Sequence, residues 1–529
     1  MSSSAPHENK LSSDPPPLNA PPDLGTSSAT NTGSKAREQH IDPLNVSGAI
    51  DENGNTLAID YDALREKFGT PALTSAHLER FERVTGKKPH RLMRRKLFFS
   101  HRDFDSILDF YEKEGRFLLY TGRGPSSDSM HIGHAVPFLF TKELQDIFDV
   151  PLVIMMTDDE KFQFRGAEKK MDPRLFTQFA HANTKDIIAL GFDVKKTFIY
   201  TDYEFIGGHF LYNISEFETL LTNNQVRGAM GFDGSTNIGC NSYPARQCVA
   251  AFASSYPELF GAPDYRPLTN PDFCELFPRQ NIADIPTLIP CAIDQEPYFR
   301  LVRENCHRMH FPSPKPALIL SKFLTALQGP GGKMSASDPT SAIFMSDTPN
   351  QIKNKINKYA FSGGRETREE HEKYGGNPDV DVAYTYLSYF LESDEELGEI
   401  EDAYRKGTLG TGELKKKCIS VLQEFVGAFQ ERRAKVDDAA MRSFMKPRKL
   451  VFQGNPHATQ PRKAEIANGE AQAHGEGAGD GKGLTKNQQK KLAKLKEVEE
   501  RKAKKAQEKE MALRQKEGGA DGAVEGGGA

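Results

Sequence analysis

Between Phe117 and Thr157 four kinds of segment follow one another: an apolar run (Phe117-Leu-Leu-Tyr-Thr121), a glycine-interrupted loop (Gly122-Arg-Gly-Pro125), apolar residues at helical intervals (His134 to Phe148) and a second apolar run (Val150-Pro-Leu-Val-Ile-Met-Met-Thr157). Short apolar runs bounded by turn residues read as buried strands, and the 3.6-residue period between them reads as a helix. Strand, loop, helix, strand is the opening βαβ unit of a parallel α/β sheet, because parallel neighbours need a crossover and a helix supplies it. Thr197-Phe-Ile-Tyr200 and Pro286-Thr-Leu-Ile-Pro-Cys-Ala-Ile293 continue the alternation. Ligands of such sheets sit beyond the carboxyl ends of the strands, so that is where site residues are sought.

The rest of the chain divides around this unit. Its 529 residues exceed what one core usually holds. Residues 1–38 are rich in Ser, Pro, Asn and Gly and are predicted to be a disordered tail. Residues 39–115 read as a helical extension, with Leu78, Phe81 and Val84 at helical spacing. Residues 116–347 form the nucleotide-type sheet domain, and 348–452 a helical domain that includes Val382–Phe390 and Leu414–Lys435. Residues 453–529 are a Gly, Ala, Glu and His linker followed by a basic, helix-forming tail from Lys486, whose positive charge can attract RNA or simply be solvated. With 37% hydrophobic residues and a net charge of −4, the chain is neither membrane-embedded nor fibrous. The start, Met1-Ser-Ser-Ser-Ala-Pro, has no signal-peptide core or Arg-rich transit character, and no apolar run is long enough to cross a bilayer. Six cysteines without a C-x-x-C pair suggest neither a zinc module nor a disulfide framework, so a cytoplasmic address is expected.

Two motifs carry the chemistry. His131-Ile-Gly-His134 lies where the first loop enters its helix, so the free N–H groups and positive end of the helix favour phosphate. Two imidazoles three residues apart share a helix face and can donate to phosphate oxygens, while Gly133 allows close approach. Zinc ligation or ordinary surface histidines remain alternatives for four residues taken alone. Far downstream, Gly331-Gly-Lys333-Met-Ser-Ala-Ser337 is a glycine-bounded loop presenting an ammonium and two hydroxyls. Such a loop can close on a triphosphate and stabilise the charge that grows as pyrophosphate departs. A dinucleotide enzyme is disfavoured, because Ser127 stands where the third glycine of that fingerprint would fall.

With the two motifs in this order the chain resembles the class I aminoacyl-tRNA synthetases, and it is most similar to their eukaryotic tryptophan-specific branch. The matching segments are Tyr120-Thr-Gly-Arg-Gly-Pro-Ser-Ser127, Met156-Thr-Asp-Asp-Glu-Lys161, Ile289-Pro-Cys-Ala-Ile-Asp-Gln295 with Pro297-Tyr-Phe299, Lys333-Met-Ser-Ala-Ser-Asp-Pro339 and Ala360-Phe-Ser-Gly-Gly364. The resemblance implies a Rossmann-type catalytic domain, a helical domain that binds the anticodon region, and a homodimer. It implies activation of L-tryptophan by Mg²⁺-ATP and transfer of the aminoacyl group to tRNA(Trp). His131, His134, Lys333, Ser335 and Ser337 are then expected to handle the triphosphate, with Arg123, Gly133, Met334 and Asp294 beside the nucleotide. Tyr120, Met155, Glu160, Gln247, Gln295 and Phe299 are expected to line the amino-acid pocket. No resident metal is implied, although Asp158-Asp159-Glu160 could alternatively be a metal cluster.

Three departures stand against that background. Members of the branch usually carry Gln or Glu where this chain has Met155, which accepts a hydrogen bond poorly. The Gly231–Arg246 segment differs from its usual form and places a cation beside Gln247. The chain contains no tryptophan, with Leu44 and Glu143 at places where one is common, and an acid at 143 predicts an exposed position there. A duplicate tuned to tryptophan scarcity or to a tryptophan analogue would account for these changes. A tyrosine-specific relative and a non-catalytic tryptophan or ATP sensor are the competing readings; the complete phosphate-handling set disfavours the sensor.

Overall fold

The computed structural model describes residues 38–41, 46–52, 56–260, 282–310, 312–329, 331–335 and 338–460. Leu44, Cys274, Ser337, nearly all of the tail assigned to 1–38 and the basic tail lie outside the described residues. At the start, β1 (His40–Ile41) and β2 (Val46–Ser47) form a small antiparallel ladder. Three helices follow, Tyr61–Phe68, Ser75–Thr85 and Arg91–Arg94. Asp60 caps the first by accepting from the backbone N–H groups of Asp62 and Ala63, and Gly69 ends it in the left-handed region at φ +63°.

The central sheet contains β3 (Phe98–Arg102), β4 (Leu118–Arg123), β5 (Leu152–Met156), β6 (Thr197–Thr201), β7 (Thr287–Ala292) and β8 (Ala317–Ser321), in the order β3-β8-β7-β4-β5-β6. β4 to β8 run parallel to their neighbours, and β3 is antiparallel to β8 at the edge. β5, β6 and β8 are buried at every residue, as parallel strands covered by helices on both faces must be. From β4 the chain steps to β5 and β6 on one side, then returns to β7 and β8 on the other. The strand order therefore reverses between β4 and β7, which creates the crevice where a ligand enters such sheets.

Three elements differ from the sequence reading. β4 continues through Gly122 and Arg123, which pair with Met155 and Met156, so the expected loop begins later. Residues 39–115 are not wholly helical, because β3 belongs to the main sheet. Its Ser100 and His101 look like surface residues in sequence, yet both are buried: the Ser100 hydroxyl donates to Pro71 O at 2.9 Å, and His101 Nδ1 accepts from the Phe104 N–H at 3.3 Å. Residues 453–460 are stitched onto the sheet domain instead of leaving as linker, with the Gln453 N–H donating to Asp149 Oδ2 at 2.9 Å and the Asn455 N–H to Gly115 O at 2.8 Å.

From Pro349–Tyr359 onward the chain is helical, through Val382–Phe390 and Thr411–Arg433 to Asp438–Met445. Its apolar face merges with the sheet's core, so that Leu327, Ile352, Tyr386 and Leu422 belong to one cluster. Arg95 ties the two parts further by donating to Ser388 O at 2.9 Å and to Leu391 O at 2.7 Å. Glu143 is half-buried, not exposed, and lies within the field of Arg91, Asp146 and Glu392; burial raises its carboxyl pKa. No described helix is long and apolar enough to cross a membrane.

Candidate active site

At the switch point, the ends of β4 and β7, the start of the Ile132–Phe148 helix and the Lys333 loop line one cavity. Of the predicted residues, Tyr120, Arg123, Gly133, His131, His134, Glu160, Gln247, Asp294, Gln295, Phe299, Lys333 and Met334 all border it. Ser335 does not; it is exposed, and its backbone is held from outside by the Ser341 hydroxyl. Met155 lies one layer below the lining, fully buried under Tyr120.

The phosphate-facing side is built on the helix start. His131 occupies the N-cap, and the His134 ring stacks on it with centroids 3.4 Å apart and planes 20° from parallel. His134 Nδ1 accepts from the His131 backbone N–H, which leaves the proton on Nε2 free to donate. Burial pushes the His131 imidazole down to about 3, and the charges of Arg123 and Lys333 add to the effect; His134 is driven well below its usual value for the same reasons. Both rings are therefore neutral at physiological pH and act as oriented N–H donors, not as cations. Two imidazoles can share so tight a stack because neither is charged. Packing around Gly133 is tight, since a Cβ there would lie 3.1 Å from His131 Nδ1 and 3.4 Å from Met334 Sδ.

Positive charge comes instead from Arg123 and Lys333. Arg123 is 8% exposed; its Nε donates to Asn183 Oδ1 at 2.5 Å, and its Nη2 has no protein partner. Burial lowers its guanidinium to about 10, still fully charged at neutral pH. The two ring nitrogens of His131 are likewise buried without partners. Orphaned polar atoms of this kind are costly unless a ligand satisfies them, and the Arg123 N–H groups and the one N–H of neutral His131 border the same cavity. Lys333 Nζ rests 3.1 Å from Asp294 Oδ2 and 5.4 Å above the Phe323 ring. Its loop is pinned behind β8 by the Thr325–Lys333 bridge and by the Ala326 N–H donating to Gly332 O at 3.1 Å.

The other side of the cavity suits an aromatic amino acid. Tyr120 and Phe299 meet edge to face at 6.3 Å. Glu160 accepts from the Thr157 hydroxyl at 2.6 Å and pairs with Lys161 at 3.2 Å. Gln247 accepts from the Tyr243 hydroxyl at 2.7 Å, which fixes its amide with the NH₂ group toward the cavity side. Gly124 makes room for Lys161, whose Cε a Cβ would meet at 1.9 Å. Sequence reasoning missed Lys161, Lys322 and Thr157 as lining residues. Lys161 and Thr157 stood inside a quoted segment, whereas Lys322 follows β8, a five-residue strand among prolines that gave too short a signal to anchor a reading.

Beneath Glu160, the Asp158, Asp159 and Asp202 carboxylates come within 4.8 Å of one another, all buried. Asp158 is fully used, accepting from the Asp202 N–H at 2.9 Å, the Tyr203 N–H at 3.3 Å and the Thr177 hydroxyl at 2.7 Å. Arg246, the cation flagged beside Gln247, pairs with Asp159 at 2.6 Å instead of entering the pocket. Asp202 has no donor of its own, and burial followed by the charge of Asp159 raises its pKa well above the usual carboxyl value. A proton on Asp202 turned toward Asp159 satisfies the group without a metal. A carboxyl whose pKa is raised on folding contributes stability that is fully present below its unfolded pKa, near 4, and lost as pH rises toward its folded pKa. Asp202→Asn is accordingly expected to match the wild type near pH 4 and to gain on it by up to about 1.4 kcal/mol per pH unit above that. Thermal midpoints of both proteins from pH 5 to 8 test this; a constant difference would rule out the shared proton.

Fold and site together define a nucleotide-activating enzyme whose phosphate-facing side joins a helix start to a lysine loop. The model of the class I tRNA synthetases (W and Y) matches residues 112–427, and the chain belongs to that family. It is 52% identical over 408 residues to the cytoplasmic tryptophan--tRNA ligase of Schizosaccharomyces pombe, covering 77% of this chain and 97% of that protein. To the human cytoplasmic tryptophan--tRNA ligase it is 46% identical over 443 residues, covering 83% and 87% respectively. The tryptophanyl-tRNA synthetase from Giardia lamblia superposes with a TM-score of 0.68 at 42% identity, over 74% of this chain and 97% of that one.

Proposed function

We propose that the chain is a tryptophan--tRNA ligase of the cytoplasm, which activates L-tryptophan with Mg²⁺-ATP and transfers it to tRNA(Trp). One observation carries the assignment of the site: buried, unpartnered donors on Arg123 and His131 face the same cavity as the aromatic and amide groups of Tyr120, Phe299, Gln247 and Gln295. In this reading the tryptophan carboxylate attacks the α-phosphorus. The bond to the bridging oxygen breaks, and pyrophosphate leaves with the electron pair and the Mg²⁺ it shares with ATP. Neutral His131 and His134 donate to phosphate oxygens, and Arg123 fixes the phosphate chain. Lys333 exchanges Asp294 for the phosphates as its loop closes, bringing Ser335 and Ser337 with it. Glu160 holds the ammonium, Gln247 and Gln295 the polar backbone of the amino acid, and Tyr120 and Phe299 the indole. A terminal ribose hydroxyl of the tRNA then attacks the acyl carbon, loses its proton, and AMP departs. The helical segment from residue 348 holds the anticodon region, and two copies of the chain assemble as a homodimer.

The test is amino-acid-dependent exchange of pyrophosphate into ATP by the purified protein, comparing tryptophan, tyrosine, phenylalanine and indole analogues. Exchange with tryptophan above all is expected. Preference for tyrosine would move the substrate within the family, and absence of exchange in folded protein would leave the sensor reading.

A further inference from the structure

Asp186 is buried, 8% exposed, on the sheet-domain helix Pro173–Ala189, and it plays no part in the mechanism above. One ion pair anchors it, and its surroundings lead to the site. The Arg433 Nε, at the last residue of the Thr411–Arg433 helix, donates to Asp186 Oδ1 at 2.6 Å. The Met130 backbone, immediately before His131, and the Arg123 guanidinium both lie within the field of this carboxylate. One turn earlier on the same helix, Asn183 accepts from Arg123 Nε and donates to Ser127 O at 2.8 Å. A second line runs beside the first. Gln430 donates to Met345 O at 2.9 Å and Asp347 O at 3.0 Å, while the Met345 N–H donates to Met130 O at 2.8 Å and the Ile132 N–H to Ile343 O at 2.9 Å. The end of one helix in the helical half thus grips both flanks of the histidine motif, and Asp186 anchors to it the helix whose Asn183 holds Arg123.

We propose that Asp186 is a positioning residue for ATP: its carboxylate, held by Arg433, fixes the Pro173–Ala189 helix, and through Asn183 on that helix Arg123, in the orientation that receives the triphosphate. This deepens the proposed function and rests on it for the identity of the nucleotide. Asp186 touches no substrate and acts through Arg123. Arg433 in turn acts through Asp186, so the effects of changing the two are not independent. The charge-deleting isostere Asp186→Asn keeps the volume, and Arg433→Gln alters a half-exposed side chain, so neither change opens a cavity.

The experiment is a double-variant cycle on the full-length chain with Asp186→Asn, Arg433→Gln and both together. It is read as kcat/KM for Mg²⁺-ATP and KM for tryptophan in pyrophosphate exchange, and as the rise in thermal midpoint produced by Mg²⁺-ATP alone. Each single variant is expected to lower kcat/KM for ATP about tenfold with KM for tryptophan within about twofold, and the double variant to be no worse than the weaker single. The ATP-induced rise in midpoint is expected to shrink in all three. Multiplicative losses in the double variant, equal losses toward both substrates, or unchanged ATP parameters would each overturn the proposal. If the wild type is stabilised by Mg²⁺-ATP yet exchanges with no amino acid, the functional reading fails while the midpoint shifts still decide the role of Asp186.

Discussion

Replacing Lys333 by alanine lowers the kcat of tryptophan-dependent pyrophosphate exchange by about 10²- to 10³-fold, the usual loss when one preorganised stabiliser of developing charge is removed. The KM for tryptophan is expected to stay within about threefold, because Lys333 faces the phosphates and not the aromatic end of the cavity. Two structural facts make the split readable. The side chain is 39% exposed and rests against Asp294 and the Phe323 ring, so its loss leaves no cavity and little stability is forfeited. The remaining positive charge is also held elsewhere: Arg123 is anchored at β4 through Asn183, Lys161 is paired with Glu160 at 3.2 Å, and Lys322 rests 5.4 Å over the Tyr61 ring. With both histidines neutral, no imidazolium can replace the missing ammonium. Single-turnover formation of the adenylate separates the chemical step from product release. A loss smaller than about tenfold there would remove Lys333 from the transition state and leave it a surface latch on Asp294.

How far the sequence revealed this site depended on the kind of interaction. The βαβ opening was legible because parallel strands covered on both faces carry apolar runs, as Leu152–Met156, Phe198–Tyr200 and Leu288–Ile289 do. β3 was hidden because it buries Ser100 and His101 through hydrogen bonds to Pro71 and Phe104, contacts that leave no apolar pattern. The histidine and lysine motifs were legible as motifs, but not the charge state of the histidines, which follows from burial. Asp186 could not be found at all. It sits among ordinary helix formers, and its partner Arg433 lies 247 residues downstream. The same holds for Arg246, whose sequence position beside Gln247 pointed into the pocket, whereas the helix turns it onto Asp159. Glu143 was misread for a related reason: the arginine that partly offsets its burial, Arg91, comes from a different helix.

The amino-acid end of the cavity leads to the other large expected effect. The Tyr120 hydroxyl, completely buried, donates to Met155 Sδ at 3.2 Å, so beneath the lining the phenol rests on a weakly accepting thioether where a stronger acceptor could sit. A pocket that pairs a substrate N–H with a strong acceptor rejects the analogue lacking it by orders of magnitude, because the acceptor is then left unpaired; an apolar pocket separates such ligands by only ~1–3 kcal/mol. Wild-type protein is therefore expected to discriminate weakly between tryptophan and its benzothiophene analogue, in which sulfur replaces the N–H. Met155→Gln restores an amide oxygen of similar reach within contact of Tyr120, and Gly122 keeps the space beside it open: a Cβ at residue 122 would already touch Met155 O at 3.1 Å. The variant is expected to improve kcat/KM for tryptophan and to raise the preference for tryptophan over the analogue by about 10²-fold. Pyrophosphate exchange with both amino acids, on both proteins, gives the ratio directly. If wild type already separates the two as strongly as the variant, Tyr120 alone reads the indole N–H, and Met155 is a packing residue with no part in selectivity. If only the variant does, the methionine is what relaxes selectivity for the indole N–H in this chain.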